Sequence, residues 1–78
     1  MSYTRLDFGN DLLKRLEVTN DPVILARWAY LQYVDHLREL EPGLKGSIMQ
    51  VVAMEEGPEF EMSKEQLYEF VQKLRENR

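Results

Sequence analysis

Apolar residues recur along the chain at intervals of three and four positions, which is the spacing of amphipathic α-helices. The pattern predicts four helices, at about residues 4–18, 22–40, 44–56 and 64–76, joined by short turns. We therefore predict an all-α fold, either a compact four-helix bundle or an orthogonal helical array with short connections. At this length the chain forms one domain, over residues 1–78.

Local signals indicate where these helices begin and end. Asp21 is a suitable N-cap for the second helix, and Pro22 suits its first position. Gly57, followed by proline, is expected to stop the third helix in a left-handed conformation. Ser63 and Gln66 have the spacing of a capping box, in which each side chain bonds to the other residue's amide group, and they predict the start of the fourth helix.

Three of the four helices carry one apolar stripe each. The predicted inner residues are Leu6, Phe8, Leu12, Leu13 and Leu16 in the first helix, Leu44, Ile48, Val51 and Val52 in the third, and Leu67, Phe70, Val71 and Leu74 in the fourth. Gly9 interrupts the first helix and weakens it by about 1 kcal/mol relative to alanine. We expect this glycine to allow another helix to approach closely.

The second helix differs because it is apolar on two faces. Its broader face comprises Ala26, Ala29, Tyr30, Tyr33, Val34, Leu37 and Leu40. Ile24, Trp28 and Leu31 lie on nearly the opposite side, among charged residues. Such a helix is either sandwiched between other helices or leaves an apolar patch exposed.

An aromatic anchor surrounded by charged groups is typical of the centre of a protein–protein interface. The predicted interaction residues are Ile24, Arg27, Trp28, Leu31, Asp35 and Arg38. The alternative is that another helix of the same chain covers these side chains.

Charge and composition narrow the classes of partner. The chain has 14 acidic and 10 basic residues, a net charge of −4, and no cluster of Lys and Arg that would hold a phosphate backbone. We therefore expect neither nucleic acid nor a membrane surface as a partner. The chain has no cysteine, no apolar run near the ~20 residues that span a bilayer, and a polar amino terminus. These features favour a cytoplasmic location.

Few side chains are arranged for catalysis. His36 is the single imidazole, and its neighbour Asp35 points about 100° away on a helix, so the two do not form a dyad. Ser63 is committed to capping, and no Gly-rich phosphate loop is present. The acidic residues around Gly57 lack the alternating ligand positions of a calcium loop. We predict that the protein is not an enzyme and binds no cofactor or metal.

One stretch has a counterpart in a known family. Residues 46–56, GSIMQVVAMEE, resemble the second helix of acyl carrier proteins, whose first-turn serine carries a phosphopantetheine arm. The resemblance implies modification at Ser47. Gly46 and Ile48 stand where that family usually has aspartate and leucine, and the long second helix replaces that family's loop.

Together these observations predict a small acidic helical domain that binds proteins without catalysis. It would act as an adaptor, regulator or assembly factor, on a protein partner or on a second copy of itself. Two alternatives stay open. One is an acyl-carrier-like or accessory subunit modified at Ser47, and the other is an acidic inhibitor or immunity-type protein that covers a basic surface.

Overall fold

Four α-helices form within residues 2–76, the part of the chain that the computed structural model describes. They are α1 (Arg5–Leu16), α2 (Pro22–Asp35), α3 (Leu44–Val52) and α4 (Lys64–Glu76), with two 3₁₀ turns, Ala53–Glu56 and Pro58–Phe60, between α3 and α4. The predicted all-α class is confirmed. Met1, Asn77 and Arg78, which the single-domain prediction includes, lie outside the described residues.

Short-range caps begin three of the helices. The Asp21 side chain accepts the first amide groups of α2 at 2.9 and 3.2 Å, as predicted. The predicted capping box of α4 also forms, with Ser63 N donating to Gln66 Oε1 at 2.8 Å and Gln66 N donating to Ser63 Oγ at 3.1 Å. A second capping box joins Thr4 and Asp7 at the start of α1.

The left-handed glycine beside α3 lies at its start and not at its predicted end. Gly43, which precedes α3, adopts the left-handed conformation with φ of 88°. Gly57 has φ of 162° and ψ of 165°, which is extended backbone, so the prediction of a left-handed stop at this glycine was wrong. The reason is that α3 ends at Val52 and the chain tightens into a 3₁₀ turn before it reaches Gly57.

The second helix ends five residues earlier than the predicted residue 40. His36 leaves the helical conformation with φ of −114° and ψ of 19°. The extended residue Tyr3 donates its amide to Glu39 O at 2.7 Å and accepts the Glu41 amide at 2.9 Å. Its ring also stacks on His36, with centroids 3.8 Å apart and planes 3° apart. Tyr3 thus binds the Glu41 amide, which a helix extending to residue 40 would donate to the Leu37 carbonyl.

The core lies where α1 packs against α4 and α2 packs against α3. Most of the predicted stripes of α1, α3 and α4 are buried, namely Phe8, Leu12, Leu16, Leu44, Ile48, Val51, Leu67, Val71 and Leu74. Leu6 is exposed, contrary to the prediction for α1. A Cβ atom at Gly9 would lie 3.0 Å from Leu74 Cβ, which confirms that this glycine permits the close approach of α4.

Candidate functional site

The side of α2 that points away from the core is almost entirely apolar. We call it the α2 outer face, and it comprises Val23, Ile24, Arg27, Tyr30, Leu31 and Val34, all exposed. At 100° per residue these positions fall within about 120° of the helix circumference. Ile24 is 51% and Leu31 57% exposed, although both are large aliphatic side chains. Leu37, in the turn after α2, is also exposed.

Trp28 does not belong to this face, and its predicted role as an exposed anchor was wrong. The residue is 8% exposed, and its ring stacks on Phe8 with centroids 5.6 Å apart and planes 9° apart. The Arg15 guanidinium lies 6.0 Å from the centre of the Trp28 ring. Trp28 is buried because of its angular position on α2. It lies about 100° around the helix from Arg27, toward the buried side that carries Leu25 and Ala29.

Tyr30, Val34 and Leu37 belong to the broader apolar face described for α2 from the sequence, and all three are exposed, whereas Ala26 and Ala29 of the same face are buried. One signal in the sequence identifies their side. Arg27 is the single basic residue of α2, so it points to water, and residues three, four and seven positions away share its face. Those positions include Ile24, Tyr30, Leu31 and Val34.

A groove runs beside the α2 outer face, between α2 and the first 3₁₀ turn. It has a volume of about 530 Å³ and is lined by Arg27, Tyr30, Leu31, Val52 and Glu55. Arg27 Nε lies 3.6 Å from Glu55 Oε1, and the Arg27 side chain is 76% exposed. An ion pair this exposed contributes about 0–1 kcal/mol, so Arg27 can turn toward a different carboxylate at little cost.

The two other predicted charged residues lie at the carboxyl end of the same helix. Asp35 is the last residue of α2, and Arg38 lies in the turn that follows; both are exposed. The structure therefore brings Ile24, Arg27 and Leu31 together on one face, with Asp35 and Arg38 near its end. Of the predicted interaction residues, Trp28 alone is buried.

A second cluster of polar side chains surrounds Tyr3. The Tyr3 hydroxyl donates to Asp11 Oδ2 at 2.7 Å, and His36 Nδ1 lies 3.1 Å from Glu39 Oε2. Burial, followed by the hydrogen bond and the negative charge of Asp11, raises the pKa of the Tyr3 phenol well above its usual range. These contacts join the amino terminus to α1 and to the turn after α2, and they give the cluster a structural role.

Tyr3→Phe is expected to destabilise the protein by about 1.5 kcal/mol at neutral pH, because a hydrogen bond to a charged carboxylate is lost. The folded pKa of Tyr3 lies above the unfolded value of about 10, so this stabilisation is complete below pH 10 and is lost above it. The stability advantage of the wild type over the variant should therefore shrink by about 1.4 kcal/mol per pH unit above pH 10.

Urea unfolding of both proteins at several values between pH 7 and pH 11 measures this difference. The variant keeps every other group that titrates in alkali, so the difference in unfolding free energy between the two proteins reports on the Tyr3 hydroxyl. A difference between the two proteins that stays constant across this range would contradict the proposed role of the Tyr3 hydroxyl.

Ser47, the serine singled out by the resemblance to acyl carrier proteins, is half-buried in α3. It lines a hollow with Arg5, Gln50, Phe70, Lys73 and Leu74. It is the fourth residue of α3, and the N-cap position of that helix, Gly43, provides no side-chain hydrogen bond. Modification at Ser47 remains a prediction.

Within residues 2–76, no three His, Asp or Glu side chains converge on a point that could hold a metal ion. In the same range, no helix is both long enough and apolar enough to cross a membrane. No family model, curated protein or solved structure matches this chain. The α2 outer face and its groove are therefore the candidate functional site on the basis of this chain's exposed residues and contacts alone.

Proposed function

We propose that the protein is a non-enzymatic helical interaction domain, acting in the cytoplasm as an adaptor, regulator or assembly factor through the α2 outer face. The observation that carries the proposal is the exposure of five apolar side chains on one side of a single helix: Val23, Ile24, Tyr30, Leu31 and Val34. A cytoplasmic location is consistent with a chain that has no cysteine.

The area of this surface supports the proposal. About half of each side chain is exposed, and with ~150–200 Å² for a large apolar side chain the patch reaches on the order of 500 Å². A patch of this size falls within the range of the largest apolar patch on a typical monomer, and such patches often mark binding surfaces. In the part of the chain described, six of the nine exposed large apolar residues lie on α2 or in the turn after it.

The local composition also fits an interface. Tyr30 supplies a large amphipathic ring, and Arg27 supplies a guanidinium beside the groove. Tyrosine and arginine are both enriched at the energetic centres of protein interfaces. Charged side chains lie around the apolar positions, as in the polar rim of an interface.

Photo-crosslinking in the cells that make the protein tests this function. A photoreactive phenylalanine, p-benzoylphenylalanine, replaces Tyr30 in one variant and Phe60 in a matched control. The two native residues are both aromatic and are 51% and 50% exposed, but Phe60 lies in the second 3₁₀ turn, away from α2. We expect a discrete protein adduct, identified by mass spectrometry, from position 30 and none from position 60.

A second variant separates specific binding from random contact. Adding Leu31→Asp places a charge in the middle of the α2 outer face, and it should abolish the adduct while the circular dichroism spectrum stays unchanged, because Leu31 is exposed. Equal labelling from positions 30 and 60, no adduct from position 30, or an adduct that survives Leu31→Asp would overturn the proposal.

A further inference from the structure

We infer that the α2 outer face binds the same face of a second copy of the chain, with the two α2 helices antiparallel. This inference rests on the proposed function, because it uses the same surface and names its occupant. Symmetric dimers are the commonest oligomers, and in such a dimer one patch is complementary to itself. The α2 outer face is self-complementary in two respects: opposite charges lie at equal distances on the two sides of Leu31, and apolar residues also lie on both sides of it.

The charges are the more specific feature. Arg27 lies four positions before Leu31, and Asp35 lies four positions after it. When two copies meet antiparallel with Leu31 opposite Leu31, Arg27 of each copy lies next to Asp35 of the other. Because the dimer is two-fold symmetric, this ion pair forms twice. Both residues are exposed in the single chain.

The orientation follows from the same charges. A parallel pair in the same register would place Arg27 beside Arg27 and Asp35 beside Asp35, and like charges across an interface oppose association. The contact of Arg27 with Glu55 within the chain does not prevent the antiparallel pairing, because it is 3.6 Å long and exposed.

The apolar residues are also distributed about Leu31. Ile24 lies seven positions before it, so a Leu31-centred antiparallel pair sets Ile24 of one copy at the end of the other copy's α2, beside the turn that carries the exposed Leu37. Tyr30 and Leu31 meet their own counterparts at the centre, next to the groove in each copy. Exposed positions 24, 27, 31 and 34 alternate in steps of three and four, which is the seam spacing of paired helices.

The available area is adequate for such a pair. A standard interface buries about 800 Å² per partner. The apolar patch supplies on the order of 500 Å² of this. The flanking side chains of Arg27, Asp35 and Glu55 supply polar area at its edge. A weak to moderate dimer in rapid exchange with monomer is the expected form.

Charge reversal in separate copies tests the inference. Arg27→Glu alone sets an acid at position 27 against Asp35 of the other copy, twice in the homodimer. Asp35→Arg alone likewise sets a base at position 35 against Arg27 of the other copy, again twice. A mixture of the two variants restores attraction in both pairs, because one copy then supplies two acids and the other two bases. Residues 27 and 35 are eight positions apart on one helix and do not meet within a chain, so rescue can occur only between copies.

Sedimentation velocity across micromolar to millimolar concentrations provides the measurement. We expect the wild type to reach twice the chain mass of 9.3 kDa. Each single variant should lose at least about tenfold in dimer affinity, and the equimolar mixture should recover to near the wild-type value. Circular dichroism of each variant confirms that the fold is retained, and Leu31→Asp provides a monomeric reference with wild-type charges at positions 27 and 35.

The possible outcomes separate this inference from the proposed function. A wild type that remains monomeric, or a mixture no stronger than its components, overturns the antiparallel dimer. If photo-crosslinking from position 30 then yields a different protein, the interaction function stands with another occupant. If position 30 yields no adduct at all, the interaction function fails as well. An adduct of two copies together with rescue in the mixture supports both.

Discussion

Trp28→Ala is expected to destabilise the protein by about 3–5 kcal/mol, because the truncation removes a buried aromatic ring and leaves a cavity beside Phe8. A domain of 78 residues has a total stability of roughly 4–12 kcal/mol, so this loss removes at least about a quarter of the free energy of unfolding. The Arg15 guanidinium, 6.0 Å from the ring centre, would also lose its aromatic contact.

Urea unfolding followed by circular dichroism measures this effect, since the substitution removes the protein's single tryptophan and with it the fluorescence signal. The matched control is Leu31→Ala on the same helix. Because Leu31 is 57% exposed, its truncation should change the free energy of unfolding by less than about 0.5 kcal/mol. Equal losses for the two variants would show that the assignment of inner and outer faces of α2 is wrong.

Gly9→Leu is expected to destabilise the protein by about 2–3 kcal/mol through overpacking between α1 and α4. A Cβ at this position would already lie 3.0 Å from Leu74 Cβ and 3.0 Å from Arg75 Cγ. Arg75 can swing aside, but Leu74 Cβ is fixed to the backbone of α4 and its side chain is buried. The larger leucine therefore requires the two helices to separate, and this outweighs the gain of about 0.7 kcal/mol in helix propensity.

Gly46→Leu is the matched control, since Gly46 is also a helical glycine but a Cβ atom there would meet no other atom within 4 Å. The same substitution should stabilise the protein there by about 0.7 kcal/mol, because only the helix propensity changes. Thermal unfolding of both variants gives the comparison. A stabilised Gly9→Leu protein would contradict the close packing of α1 and α4.

The number of helices and the residues that begin them could be predicted from the sequence. Asp21, Ser63 and Gln66 act on amide groups within three positions of themselves, so their effect is contained in a short stretch of chain. The apolar stripes of α1, α3 and α4 were largely predictable for a related reason. Each of these helices has one apolar side, so the pattern leaves a single choice of inner face.

The candidate site was predicted only in part. Ile24, Arg27 and Leu31 were correctly placed together, whereas Trp28 was wrongly included and Tyr30 and Val34 were wrongly assigned to the opposite side of α2. At 100° per residue Tyr30 and Val34 lie within about 120° of Ile24 and Leu31 and are not opposite them. In addition, α2 is apolar all round, so hydrophobicity does not distinguish its two sides. The position of Arg27 contained the missing information, since a lone basic residue on an apolar helix marks the side that faces water.

Composition and periodicity determined that this chain forms four helices and where those helices start, because caps and stripes act between residues close in sequence. Packing decided that Trp28, next to Arg27 in the chain, is buried against Phe8, and it decided where α2 stops. Tyr3 is 36 positions from Glu39, yet its backbone bonds to Glu39 and Glu41, in the non-helical stretch that follows the end of α2 at Asp35. Such a contact depends on the positions of all the other helices, and no local pattern specifies it.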